Sequence, residues 1–105
     1  MIDRYDVAVV GAGPGGSSAA TFLARAGRRV LLLDKFDFPR DKTCGDCLSP
    51  RALGVLRDMG CLDAVVALGH ATPNMRVVAP WGWSVGARLP QVHEWPDYAV
   101  VVPRL

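Results

Sequence analysis

The sequence predicts an α/β fold: a parallel βαβ unit at the start of the chain, then a helical segment and a small β-hairpin, in a domain the chain does not complete. Three observations carry this. Two four-residue apolar runs, Val7–Val10 and Val30–Leu33, lack polar alternation, as strands of a parallel sheet do. Between them a stretch of helical length opens on a glycine cluster and closes on Gly27. Beyond Gly69, two strand-like runs flank Pro80-Trp81-Gly82, a turn signal.

The first strand breaks into Gly11-Ala12-Gly13-Pro14-Gly15-Gly16 without a gap. A strand that ends in glycine and turns straight into a helix aims bare backbone N–H groups at one point, where a pyrophosphate sits. Gly11 is expected to allow the tight turn, Gly13 the approach of phosphates, and Gly16 the close packing of helix on strand. Pro14 falls in the first turn, where a missing N–H costs nothing. The helix is expected over Ser17 to Ala26, with Ala19, Ala20, Phe22, Leu23 and Ala26 available to the sheet. The second strand ends at Asp34, 23 residues after Gly11 and 18 after Gly16. That is close to the spacing of roughly 20 at which an acid meets a ribose 2′-OH. A carboxylate accepts from that hydroxyl and repels a 2′-phosphate. The glycine pattern alone is weak, and an incidental acid in an ordinary βαβ unit is the competing reading; the agreement of strand, turn, helix and acid favours a Rossmann-like dinucleotide site.

From Phe36 to Pro50 the residues are polar, broken by two prolines and without period, and read as a loop. Ser49 then reads as an N-cap with Pro50 in the first turn, followed by Leu53, Leu56 and Met59 at helical spacing and a stop at Gly60. Leu62 to Leu68 reads as a short helix capped by Asp63. Met75–Ala79 and Trp83–Leu89 form the hairpin, Pro90–Asp97 is loop, and Ala99–Val102 is a last short strand.

With 105 residues, half of them apolar, the chain supports one domain at most. A dinucleotide domain with a substrate site usually needs more, and Tyr98-Ala-Val-Val-Val-Pro-Arg-Leu105 is an apolar strand with no polar tail. The chain is expected to be the N-terminal part of a longer protein, the rival being a natural mini-protein. A net charge of +2 with scattered basic residues argues for no nucleic-acid partner. No apolar run approaches the roughly 18 residues of a membrane span, and the N-terminus lacks signal-peptide shape, so a cytoplasmic protein is expected. Three cysteines then point to reduced thiols rather than a disulfide framework.

The run Phe38-Pro-Arg-Asp-Lys-Thr-Cys44-Gly45-Asp46, with Leu48-Ser-Pro-Arg51-Ala-Leu after it, resembles the geranylgeranyl reductase family of FAD-dependent oxidoreductases, within the group that also holds aromatic hydroxylases and flavin halogenases. The resemblance covers Tyr5 through Arg104. It implies that Gly11, Gly13 and Gly16, with Pro14 and Gly15 between them, bind the FAD pyrophosphate, and that Asp34, with Lys35 beside it, binds the adenosine end. It implies further that Cys44, Gly45 and Cys47 run along the flavin, and that Arg104, after a Val-rich strand, contacts FAD. The implied chemistry is hydride transfer from NADPH or NADH, through the flavin, to an isoprenoid-like C=C bond of a small lipophilic substrate. Such an enzyme is compatible with peripheral membrane contact; no oligomeric interface is legible, no catalytic residue is assigned, and this stretch is expected to be inactive alone. A flavin monooxygenase of the aromatic hydroxylase kind and a non-catalytic nucleotide-binding module are the alternatives.

Cys47 departs from the family, which commonly has glycine there, and makes Cys44-Gly-Asp-Cys47 a CxxC. A zinc site would need further ligands, and His70 and His93 are isolated, so no metal is expected. A thiol–disulfide pair would want its cysteines at a helix N-terminus. The third reading, Cys44 in the flavin loop and Cys47 a small neutral substitute, is favoured. Cys61 reads as core. Trp81-Gly-Trp83 resembles the WxW of flavin halogenases in letters only and is read as a hairpin turn. Arg40, Asp41 and Lys42 are read as solvated loop charges in preference to ligand contacts, and Arg104 has the same bland alternative.

Overall fold

The computed structural model describes residues 3–42 and 46–103, and the chain divides into two compact units, Met1–Lys42 and Thr43–Leu105. In the first, β1 (Val7–Val10), α1 (Pro14–Arg25) and β2 (Val30–Leu33) form a βαβ unit. β1 and β2 are parallel, in register from Val7 opposite Val30 to Val10 opposite Leu33. The Asp6 carboxylate accepts from the Arg29 amide at 2.8 Å, and the Asp6 amide donates to the Arg29 carbonyl at 2.8 Å, clasping the strand starts. At the other end the Gly11 amide donates to the Leu33 carbonyl at 2.7 Å, extending the ladder into the turn. α1 packs on both strands. Its face covers the half-buried Val7 and Val9, whereas Ala8 and Val10 point the other way and are exposed.

Both strands fall where the apolar runs predict, and α1 differs at its start. It begins at Pro14, three residues ahead of Ser17, because the Gly13 carbonyl already accepts from the Ser17 amide at 2.8 Å. Glycine is a poor helix former, yet Pro14 fixes the φ of the first turn and the Ser17 hydroxyl ties back to the Ala12 carbonyl at 2.9 Å. Gly27 ends the helix as predicted, at φ +81°.

The second unit holds β3 (Cys47–Leu48), α2 (Pro50–Asp58), α3 (Leu62–Leu68), β4 (His70–Thr72), β5 (Asn74–Val78), β6 (Ser84–Arg88) and β7 (Ala99–Val101). β7 lies between β3 and β4 in an antiparallel sheet, and β5 and β6 form a separate antiparallel hairpin. The core is small: Leu53 of α2 and Val100 of β7 are fully buried, and Ala99 is nearly so. Ser49 caps α2 as predicted, its hydroxyl accepting from the Ala52 amide at 3.3 Å, with Pro50 at the first position. Gly54 gives Trp95 its place, since a Cβ there would lie 2.7 Å from Trp95 Cδ1.

Four expectations change here. The loop from Phe36 to Pro50 contains β3, too short to show a period of its own. β4 was concealed in the same way, in three residues before Pro73. The cap of α3 is Cys61, with no side-chain hydrogen bond, and Asp63 lies inside the first turn. Cys61 is half-buried, not core, and its thiol reaches the Leu56 carbonyl at 3.6 Å. The hairpin is as expected to within a residue or two, with a turn closed by the Gly82 amide on the Ala79 carbonyl at 2.9 Å and Gly82 at φ +91°. Trp81 lies within that turn and Trp83 just after it, and both are exposed.

Candidate functional site

The glycine turn sits at the carboxyl end of β1, beside that of β2. Gly11 has φ +103°, a backbone state that favours glycine, and it swings the chain from strand into helix. Gly16 is required by proximity: a Cβ on it would lie 1.7 Å from the Gly11 carbonyl oxygen. The first turn of α1 is thereby pressed onto the turn before it. The N-cap is Gly13, which has no side chain to bond the first amides. Pro14 carries no N–H, and Gly15 and Gly16 precede the first residue with an intrahelical acceptor, so their amides have none within the helix. An uncapped helix start with free amides and a positive dipole end is a site for an anion.

Asp34 closes the site from the end of β2. Its Oδ2 accepts from the Ala12 amide at 2.7 Å and its Oδ1 from the Phe36 amide at 2.8 Å. The Phe36 amide first, and the Ala12 amide after it, hold the carboxyl below the ordinary aspartate range, with the charges of Arg40 and Lys35 acting in the same direction against partial desolvation. This role was not legible in the spacing, which points outward to a ribose; in the structure the same carboxylate also fastens the turn after β1 to the end of β2. Two amides leave a carboxylate with further lone pairs, so the two roles are compatible.

A cavity of about 360 Å³ opens there, lined by Val10, Gly11, Asp34, Lys35, Phe36 and Arg40. Lys35 lies over the Phe36 ring at 5.1 Å. Arg40 departs from its expected role as a solvated charge: its guanidinium stacks on Phe36 at 5.1 Å and Phe38 at 5.5 Å, and the residue is half-buried. Cation–π stacking holds a side chain that charge alone would send to water.

The remaining expected site residues divide. Cys44, Gly45 and Arg104 lie outside the described residues. Cys47 is exposed, on β3 opposite Val101. Among the described residues no three His, Cys, Asp or Glu side chains gather as for a metal ion, and no helix is long and apolar enough to cross a membrane.

A βαβ unit with this turn and a strand-end carboxylate defines a dinucleotide-binding α/β protein. The chain belongs to the family of FAD binding domains, which matches residues 4–102. It is 50% identical over 80 residues to conditioned medium factor receptor 1 of Dictyostelium discoideum (74% of this chain, 16% of that protein). It is 60% identical over 58 residues to menaquinone reductase of Mycobacterium tuberculosis (55% and 14%). It is 39% identical over 79 residues to geranylgeranyl diphosphate reductase of Rhodobacter capsulatus (75% and 18%). A flavoprotein/dehydrogenase from Cytophaga hutchinsonii superposes with a TM-score of 0.83 at 31% identity, over 97% of this chain and 25% of that one. The p-nitrophenol 4-monooxygenase PnpA from Pseudomonas putida shares the fold, with a TM-score of 0.78 at 23% identity over 99% and 27%. The chain thus spans about a sixth of the length of the curated relatives it matches. At this level the identification is of an FAD-binding stretch of a flavoprotein oxidoreductase, a group that includes monooxygenases.

Proposed function

We propose that the protein is a flavin-dependent reductase of C=C bonds in an isoprenoid-like substrate, taking electrons from NADPH or NADH, and that this chain supplies the N-terminal part of its FAD site. The observation that carries the FAD half is the fit of the turn: Gly16 against the Gly11 carbonyl, with an uncapped helix start beyond it. The reductase half is supported by the likeness to a menaquinone reductase and a geranylgeranyl diphosphate reductase.

The first-turn amides, with Gly13 beneath them, bind the pyrophosphate, and Gly11, Pro14 and Gly15 hold the backbone in the shape this needs. Asp34 accepts from the adenosine ribose, with Lys35 beside the same cavity. FAD bound in this way supplies two-electron redox chemistry. Cys47, at the start of β3, serves as a small neutral substitute, Cys44 and Gly45 run along the flavin, and Arg104 adds a cationic contact to the cofactor. The enzyme works in the cytoplasm or at the membrane surface, where lipophilic substrates are met.

The test is turnover of the full-length protein with a reduced nicotinamide and a polyprenyl acceptor. The expected result is anaerobic saturation of a C=C bond, with one nicotinamide oxidised per bond. Substrate-linked oxygen consumption with a hydroxylated product would overturn the reductase reading in favour of a monooxygenase. Absence of bound flavin after purification in FAD would overturn both.

A further inference from the structure

Two cations converge on the glycine turn from the loop after β2. A Cβ on Gly13 would lie 3.4 Å from the Lys42 ammonium nitrogen and 3.9 Å from an Arg40 guanidinium nitrogen. Neither residue forms an ion pair with a carboxylate among the described residues, and Arg40 Nε is buried without a hydrogen-bond partner. Like charges repel at this range, and a buried guanidinium N–H without an acceptor is costly. The nearby Asp34 carboxylate already receives two amides, and the guanidinium carbon lies over the Phe36 and Phe38 rings at 5.1 and 5.5 Å. An arrangement with donors free, rings holding the planar group and an uncapped helix start at the same glycine is complete only with an anion between them.

We infer that Arg40 and Lys42 bind the diphosphate of the dinucleotide at Gly13, meeting it from the loop while the first turn of α1 meets it from the backbone. The inference rests on the FAD reading and extends it to residues beyond the glycine turn. The planar guanidinium takes a phosphate through paired N–H donors, and the lysine adds a second, less directional charge.

The test compares ADP, which carries the diphosphate, with adenosine, which does not, in flavin-stripped full-length protein by titration calorimetry. Arg40→Gln and Lys42→Gln are each expected to weaken ADP about ten-fold, the scale of a lost charge-assisted hydrogen bond, and to leave adenosine unchanged. Both variants should also flatten the dependence of ADP affinity on salt. Arg40→Lys, which keeps the charge but loses the paired donors, is expected to fall between wild type and Arg40→Gln. Unchanged ADP affinity in the Gln variants, or equal losses for adenosine, overturns the inference. A wild-type protein that binds neither ADP nor FAD overturns the FAD reading itself, which separates the two failures.

Discussion

Gly16 and Gly15 are neighbours with opposite obligations. A methyl on Gly16 collides with the Gly11 carbonyl, whereas a Cβ on Gly15 meets nothing within 4 Å. Gly16→Ala should therefore cost about 1–3 kcal/mol, the scale of overpacking, and lower FAD retention with it. Gly15→Ala should leave stability unchanged or raise it by up to about 1 kcal/mol, because alanine is the better helix former. Urea midpoints of the two variants check the pair, and equal losses would remove the argument. Asp34 gives the second expectation at this scale. Its carboxyl is held below the usual 3.8 in the folded state, so its contribution is complete above that value and is lost only as pH falls below it. FAD retention should be flat from neutrality to about pH 4 and fall beneath it. Asp34→Ala should lose both amide contacts and weaken FAD about ten-fold at pH 7, read by release of flavin fluorescence; a variant that keeps its flavin would leave Asp34 no role in the site.

The elements differ in how openly the residues announce them. β1, β2 and the cap of α2 were legible because each rests on a local cause: an unbroken apolar run, or Ser49 and Pro50 side by side. The hairpin was legible because Gly82 marks its turn. β3 and β4 were not, since two or three residues carry no periodicity and become strands only through pairing with β7. The start of α1 was missed because glycine propensity argues against helix, while the packing that decides it lies between Gly16 and a carbonyl five residues earlier. At the site, the place of Asp34 at the end of β2 was readable as a spacing, but its grip on the Ala12 amide needed the two strands side by side. Arg40 was misread because charge in a loop suggests water, and its clamp by two phenylalanines exists only in three dimensions. Packing between elements gives one more expectation. Gly54→Ala would press a methyl against Trp95, and should cost about 1–3 kcal/mol with a change in tryptophan fluorescence; an unaltered emission spectrum would mean Trp95 is held elsewhere.

At the scale of the molecule, the interior is thin for the apolar content. Leu53 and Val100 are fully buried, while Val10, Trp81 and Leu68 are exposed at 84%, 81% and 70%. A parallel sheet is normally covered on both faces, and among the described residues of the first unit α1 covers one face of β1. With so little core to share the loss, Leu53→Ala should cost about 2–5 kcal/mol, a large part of the usual margin of stability, and should broaden thermal unfolding. A sharp transition at the wild-type temperature would show that stability comes from elsewhere.

The place of β7 has a consequence for how the chain is made. Its partners Cys47 and His70 both pair with Val101, more than fifty and about thirty residues away. The βαβ unit, by contrast, joins strands separated by little more than one helix. A chain emerging from the ribosome can therefore close the glycine turn early, while the sheet of the second unit waits for its last strand to leave the exit tunnel. Within this stretch the glycine turn can close before the sheet of the second unit, whose middle strand β7 is the last of its three strands to be made.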